Sequence, residues 1–84
     1  MKRIKDSEAP KPMNITGRNI REARLAAKLT QKQLSEKLET IAVYVCRGSI
    51  SRIESGERIV TDIELQAISE ILHVSIDQLF ARKG

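Results

Sequence analysis

The chain of 84 residues has one cysteine, one histidine, no tryptophan, one tyrosine (Tyr44) and one phenylalanine (Phe80). A lone cysteine excludes an intramolecular disulfide framework and, beside a lone histidine, a structural zinc site. So few aromatic side chains argue against RNA modules and single-strand binders, which stack bases on aromatic rings. No apolar run approaches the ~18 residues of a membrane span, and residues 1–10 lack the apolar core of a signal peptide. We therefore expect a cytoplasmic protein without a membrane partner.

Charge is unevenly distributed along the chain, whose net charge is +4. Residues 14–60 carry nine basic and five acidic side chains, whereas residues 61–81 carry four acidic side chains and no basic one. A molecule with this asymmetry is steered toward a polyanion with its basic end first. A solvated surface on which the charges happen to separate explains the pattern equally well.

The chain divides into an arm and a domain. Residues 1–13 contain Pro10 and Pro12 and show no periodicity, so they are predicted to form a flexible basic N-terminal arm. Residues 14–84 show helical periodicity throughout and are predicted to form one helix-turn-helix domain. The expected fold class is all-α, with five short helices around one small core of Ile and Leu side chains.

Helix starts are marked by capping residues. A Ser or Thr followed three residues later by Gln or Glu forms a capping box, and such boxes begin at Thr30, Thr61 and Ser75. Thr16 is expected to cap the first helix with its hydroxyl group.

Apolar spacing indicates which faces are buried. Leu34, Leu38 and Ile41 recur at i, i+4 and i+7, which predicts that the second helix runs to about residue 42. Ile50 and Ile53 are expected to face inward from the third helix, and Gly56 follows it as the C′ residue.

The sequence contains no recognisable catalytic constellation. Cys46 has no local His or acidic partner, His73 falls where the fourth helix is expected to end, and the four glycines are scattered. Cys46 is expected at a helix N-terminus, which lowers the pKa of a thiol, and a redox switch is an alternative to a capping role. We predict that the protein is not an enzyme and needs no cofactor, metal or small-molecule ligand.

Nucleic-acid binding is better supported. Two short helices joined by a connection and flanked by basic residues form the helix-turn-helix arrangement. Arg47, Ser49 and Arg52 lie on the outer side of the second of these helices, and we predict that they contact base edges in the major groove. Thr30 and Gln31 open the preceding helix, whose unpaired backbone N–H groups suit a phosphate.

Four segments carry a family resemblance: GRNIREAR at residues 17–24, LTQKQLS at 29–35, ISRIESGER at 50–58 and LHVS at 72–75, followed by Leu79. Together and in this order they resemble the Cro/phage-repressor (XRE-like) helix-turn-helix family, over about residues 14–80. The resemblance implies a recognition helix at about residues 46–55, in the major groove.

The resemblance also implies roles for individual residues. It implies that Gln31 and Arg58 contact the DNA backbone, and that Arg24 and Glu54 form a buried ion pair between the first and third helices. The full set of expected backbone contacts is Thr30, Gln31, Lys32, Ser51 and Arg58.

Two features depart from the family pattern. The stretch between Leu34 and Ile50 is longer by about five residues than the common pattern, so we expect an extended second helix or a lengthened turn. Gly48 stands where a side chain often probes the groove and leaves no base contact there.

These observations support two hypotheses. The first is a sequence-specific regulator of transcription, a repressor, that binds double-stranded DNA as a homodimer. Its best candidates for the dimer contact are Ile76, Leu79 and Phe80, for which closure of the core is the alternative role. The alternative is an adaptor of the same fold, or an antitoxin-like partner, that acts through its acidic residues 61–81.

Overall fold

The computed structural model describes residues 11–82 of the chain. Its helices are α1 (Gly17–Ala26), α2 (Gln31–Glu39), α3 (Arg47–Glu54), α4 (Asp62–Leu72) and α5 (Ile76–Phe80). Because the described residues contain no strand, the predicted all-α fold with five helices is confirmed. None of these helices within residues 11–82 has the length and apolar character needed to span a membrane. Residues 1–10 of the predicted arm lie outside the described part of the chain.

Local capping bonds fix the starts of α2, α4 and α5. Thr30, Thr61 and Ser75 each accept the backbone N–H three residues on, and the Gln or Glu there accepts the N–H of the cap residue. These reciprocal bonds satisfy N–H groups that a helix start leaves unpaired. All three predicted capping boxes are therefore confirmed.

The start of α1 differs from the prediction. Thr16 occupies the N-cap position, but its side chain makes no capping bond and its Oγ1 is buried without a partner among the described residues. The backbone of Thr16 is in the helical region (φ −101°, ψ −13°), whereas capping hydroxyls project from extended backbone. Asn14 caps the helix instead, since its Oδ1 accepts the N–H of Gly17 at 2.7 Å. Its Nδ2 donates to the carbonyl oxygens of Ile53 (3.0 Å) and Arg58 (2.7 Å), which ties α1 to the end of α3.

The core consists of aliphatic side chains from all five helices. Those that are fully buried are Ile20, Leu34, Leu38, Ile50, Ile53, Ile68 and Leu79. Ile50 and Ile53 fix the inner face of α3 against α1 and α2, as predicted. Gly56 follows α3 with a φ of 80°, a conformation that favours glycine at the C′ position. Because Ile50 and Ile53 hold one face of α3 in the core, the opposite face is exposed to solvent.

The helix α2 ends earlier than predicted. Leu34 and Leu38 are buried as expected, but Ile41 lies beyond the last residue of α2 and is 41% exposed. The backbone of Ala42 is left-handed, with a φ of 63°, which a continuing α-helix does not allow. The prediction of an extended α2 is therefore wrong. The extra residues form a lengthened turn, residues 40–46.

Gly17 lies directly against the backbone of α3. A Cβ at this position would collide with the carbonyl oxygen of Ile53, so we expect Gly17→Ala to destabilise the fold by about 1–3 kcal/mol. In the control variant Gly48→Ala the nearest side-chain atoms, on Arg52, would be 3.9 Å from the new Cβ. That change removes a glycine from a helix and is expected to stabilise by about 0.5 kcal/mol. Urea denaturation measures the free energy of unfolding of both variants. A Gly17→Ala variant as stable as the wild type would contradict the close contact of α1 with α3.

Candidate nucleic-acid interface

The outer face of α3 is polar and its arginines are free. Arg47, Ser51 and Arg52 are exposed, opposite the buried Ile50 and Ile53. Neither Arg47 nor Arg52 uses its guanidinium group in an ion pair or a hydrogen bond with the residues that the structure describes. Arginine reads guanine O6 and N7 and also binds phosphate. The two guanidinium groups are thus available to an anionic or hydrogen-bonding ligand.

The guanidinium group of Arg52 lies near Gly48 on this face. A Cβ on Gly48 would lie 3.9 Å from both terminal nitrogens of Arg52, so the guanidinium group extends back over the first turn of α3. Side chains in helices lean toward the N-terminus in this way. The guanidinium group of Arg52 therefore lies near position 48, where the glycine has no side chain of its own.

Ser49 is partly engaged in the start of α3. It is half-buried, and its Oγ accepts a hydrogen bond from the thiol of Cys46, the N-cap residue, at 3.4 Å. Hydrogen bonding to Ser49, first its hydroxyl and then its backbone N–H, lowers the pKa of the exposed Cys46 thiol. The Ser49 hydroxyl is thus engaged with Cys46, and this residue is the least exposed of the predicted base contacts.

The start of α2 lies beside α3 and offers polar groups of its own. Lys32 is exposed, whereas the Thr30 hydroxyl is bound within its capping box to the N–H of Gln33 at 3.0 Å. Gln31 is half-buried and donates through Nε2 to Oε1 of Glu54 at 3.1 Å. Since an amide nitrogen carries two hydrogens, one N–H of Gln31 remains for a phosphate.

A buried ion pair joins α1 to α3. The Nε of Arg24 lies 2.7 Å from Oε2 of Glu54, and its Nη2 lies 3.0 Å from Oε1. The two side chains are only 8% and 3% exposed. Arg24 also donates through Nη1 to the carbonyl oxygen of Leu29 at 2.7 Å, in the connection that leads to α2. Glu54 is thus part of the framework, where a buried carboxylate needs such a partner.

A second ion pair holds the loop after α3. The Nη1 and Nη2 of Arg58 lie 2.9 Å and 2.8 Å from Oε1 and Oε2 of Glu64, the residue that completes the capping box of α4. This hydrogen bonding is the largest cause of the raised pKa of Arg58 and of the lowered pKa of Glu64. The sequence pattern showed Glu64 only as a capping residue, because its pairing with Arg58 depends on the path of the loop. Arg58 is 28% exposed, so it still faces solvent beside α3.

Removal of the buried guanidinium group should cost much of the stability. Arg24→Ala leaves the Glu54 carboxylate buried and unpaired, and we expect a loss of about 3–5 kcal/mol in the free energy of unfolding. Arg21→Ala is the matched control, because Arg21 lies exposed on the same helix and surface changes usually stay within about 0.5 kcal/mol. Urea denaturation compares the two variants, and equal midpoints would contradict the structural role of the pair.

The ion pair of Glu64 should make stability depend on pH. Glu64→Gln keeps an acceptor for the capping box but removes the charge, and we expect a loss of about 1 kcal/mol near neutral pH. Because the pKa of Glu64 is lowered from 4.5 in the folded state, this contribution is present above 4.5 and is lost as the pH falls through the folded pKa. Unfolding free energies of both chains, measured from about pH 7 to about pH 3, should converge at the acidic end. A difference that stays constant with pH would exclude the carboxylate charge as its source.

Comparison with known proteins agrees with this geometry. The sequence pattern of the helix-turn-helix family matches residues 20–79, which extend from α1 into α5. No curated protein and no solved structure gave a match. Among residues 11–82, no group of three or more His, Cys, Asp and Glu side chains is placed to hold a metal ion. Because the family pattern covers most of the chain, and the fold has its helices in the expected order, the protein belongs to the Cro/phage-repressor (XRE-like) helix-turn-helix family of DNA-binding regulators.

Proposed function

We propose that this protein binds a specific sequence in double-stranded DNA and represses transcription in the cytoplasm. In this proposal α3 lies in the major groove, and Arg47, Ser49 and Arg52 contact base edges. The observation that carries it is the pair of free guanidinium groups of Arg47 and Arg52 on the exposed face of a helix whose other face is locked in the core.

Affinity in this proposal comes from contacts with the DNA backbone on both sides of α3. The proposed backbone contacts are Thr30, Gln31, Lys32, Ser51 and Arg58. Lys32 and Arg58 supply charge, whereas the unpaired N–H groups at the start of α2 supply directed hydrogen bonds. Glu54 and Glu64 support this arrangement, since they hold Gln31 and Arg58 beside the recognition helix.

A single domain of this size reads few base pairs, so we propose that it acts as a homodimer on a palindrome with half-sites about 34 Å apart. Of the three α5 residues considered for the dimer contact, Leu79 is buried in the core and unavailable to a second copy. Ile76 and Phe80 are 36% and 46% exposed, and they form the surface that we propose for the dimer. A dimer bound across a promoter represses by blocking access to it.

The alternative adaptor function would use acidic residues outside α3. Asp62, Glu70 and Asp77 are exposed in a segment, residues 61–81, that has no basic side chain. Binding of a protein through this surface would not depend on the arginines of α3. The salt dependence of binding distinguishes the two functions. Affinity for DNA falls steeply as the salt concentration rises, and the slope of log affinity against log salt concentration is roughly proportional to the number of phosphate contacts.

The direct test is a selection of duplexes from a random DNA pool, followed by affinity measurements with variants. On the selected duplex, Arg52→Ala should weaken binding by about 5- to 150-fold and relax the sequence preference, because it loses a base contact. Lys32→Ala should weaken binding to all duplexes alike, because it loses a phosphate contact. It should also reduce the slope of log affinity against log salt concentration by about one. If no sequence is enriched, or if Arg52→Ala keeps the affinity and preference of the wild type, the proposed role of α3 is wrong.

A further inference from the structure

The lengthened turn, residues 40–46, is an ordered part of the molecule. The backbone N–H groups of Ile41 and Val43 both donate to the carbonyl oxygen of Leu38 at 3.0 Å, and the N–H of Ala42 donates to Glu39 at 3.0 Å. Val45 is 3% exposed within the core, and Val43 packs against the core from its edge. The turn therefore has a fixed path into α3.

Tyr44 projects from this turn away from the core. It stands between Val43, which packs against the core, and Val45, which is buried within it. Tyr44 is 74% exposed and forms no hydrogen bond with the residues that the structure describes. It thus displays an apolar ring and a free hydroxyl group two positions before Cys46, the N-cap residue of α3.

The nearest charge along the chain is positive. Between Thr40 and Ser51 the sequence has one charged residue, Arg47, which is exposed three residues after Tyr44. The acidic Glu70 of α4 borders the turn at Ile41 and Val43, in a surface pocket that Tyr44 does not line. The start of α3 adds the partial positive charge of a helix N-terminus. Tyr44 lies two positions before the N-cap of α3, and two residues span at most about 7 Å, so a polyanion bound at the first turn of α3 also reaches the turn.

We infer that Tyr44 is a DNA contact, whose hydroxyl group donates a hydrogen bond to a backbone phosphate at the edge of the groove that α3 enters. This inference rests on the proposed function and extends it, since it gives the lengthened turn a role in binding. Tyrosine hydroxyl groups are among the side-chain donors that position proteins on DNA phosphates. This contact adds affinity and helps to fix the position of the protein along the DNA, whereas α3 contacts the base edges.

The test uses Tyr44→Phe, which removes only the hydroxyl group, on the duplex that the wild-type chain selects from a random pool. We expect binding to weaken by about tenfold, as for one hydrogen bond to a charged group. The salt dependence should stay unchanged, because tyrosine carries no charge that releases a counterion. Replacing phosphates one at a time by neutral methylphosphonates should then identify one position that weakens the wild type but not Tyr44→Phe.

The control is Ile63→Ala on α4. Ile63 is 68% exposed and borders the turn from its other side, beside Ile41 and Val43. This variant should bind the selected duplex like the wild type, which separates a DNA contact from a general effect of surface change near the turn.

The outcomes distinguish the two levels of the proposal. If Arg52→Ala loses affinity while Tyr44→Phe binds like the wild type, the Tyr44 contact is wrong and the proposed function stands. If Tyr44→Phe and Ile63→Ala weaken binding equally, the effect is not a phosphate contact. If the wild-type chain enriches no duplex at all, both the proposed function and the Tyr44 contact fail.

Discussion

The buried ion pair between Arg24 and Glu54 determines the position of everything that we propose to meet DNA. It joins α1 to the end of α3, reaches the connection before α2 through the Leu29 carbonyl, and holds Gln31 through the second carboxylate oxygen. Because the pair is nearly inaccessible to water, loss of either partner leaves a buried charge without an oppositely charged partner among residues 11–82. The start of α2 is therefore oriented relative to α3, the helix that we propose to read DNA, by the Glu54 carboxylate.

The rest of the face is built outward from this framework. Asn14 fixes the end of α3 to the start of α1, and Glu64 holds Arg58 in the loop that follows. At the other end, a turn whose valines pack in or against the core leads into α3, and the guanidinium group of Arg52 lies over the first turn of that helix. The result is a helix that presents positive charge at its N-terminal end, which is the end that we propose to enter a major groove.

Local signals explain what could be predicted from the sequence. The capping boxes at Thr30, Thr61 and Ser75 join residues only three positions apart, so the sequence pattern alone predicts them. The end of α2 was misjudged because Ile41 continues the apolar spacing, whereas the left-handed backbone of Ala42 leaves no trace in that spacing. The capping of α1 by Asn14 spans only three residues, so its local signal was present beside that of Thr16. The bonds of Asn14 to Ile53 and Arg58, and the pairing of Arg58 with Glu64, depend on the path of the loop after α3, which no local pattern encodes.

The most direct test of this account is a nuclear magnetic resonance titration of the whole chain with the duplex that it selects. Backbone amide shifts then map the bound surface without any substitution. The account predicts changes at residues 30–32, along residues 44–52 and at Arg58, with residues 61–81 affected far less. Changes confined to residues 61–81 would contradict the account, because they would place the working surface of the protein on its acidic side.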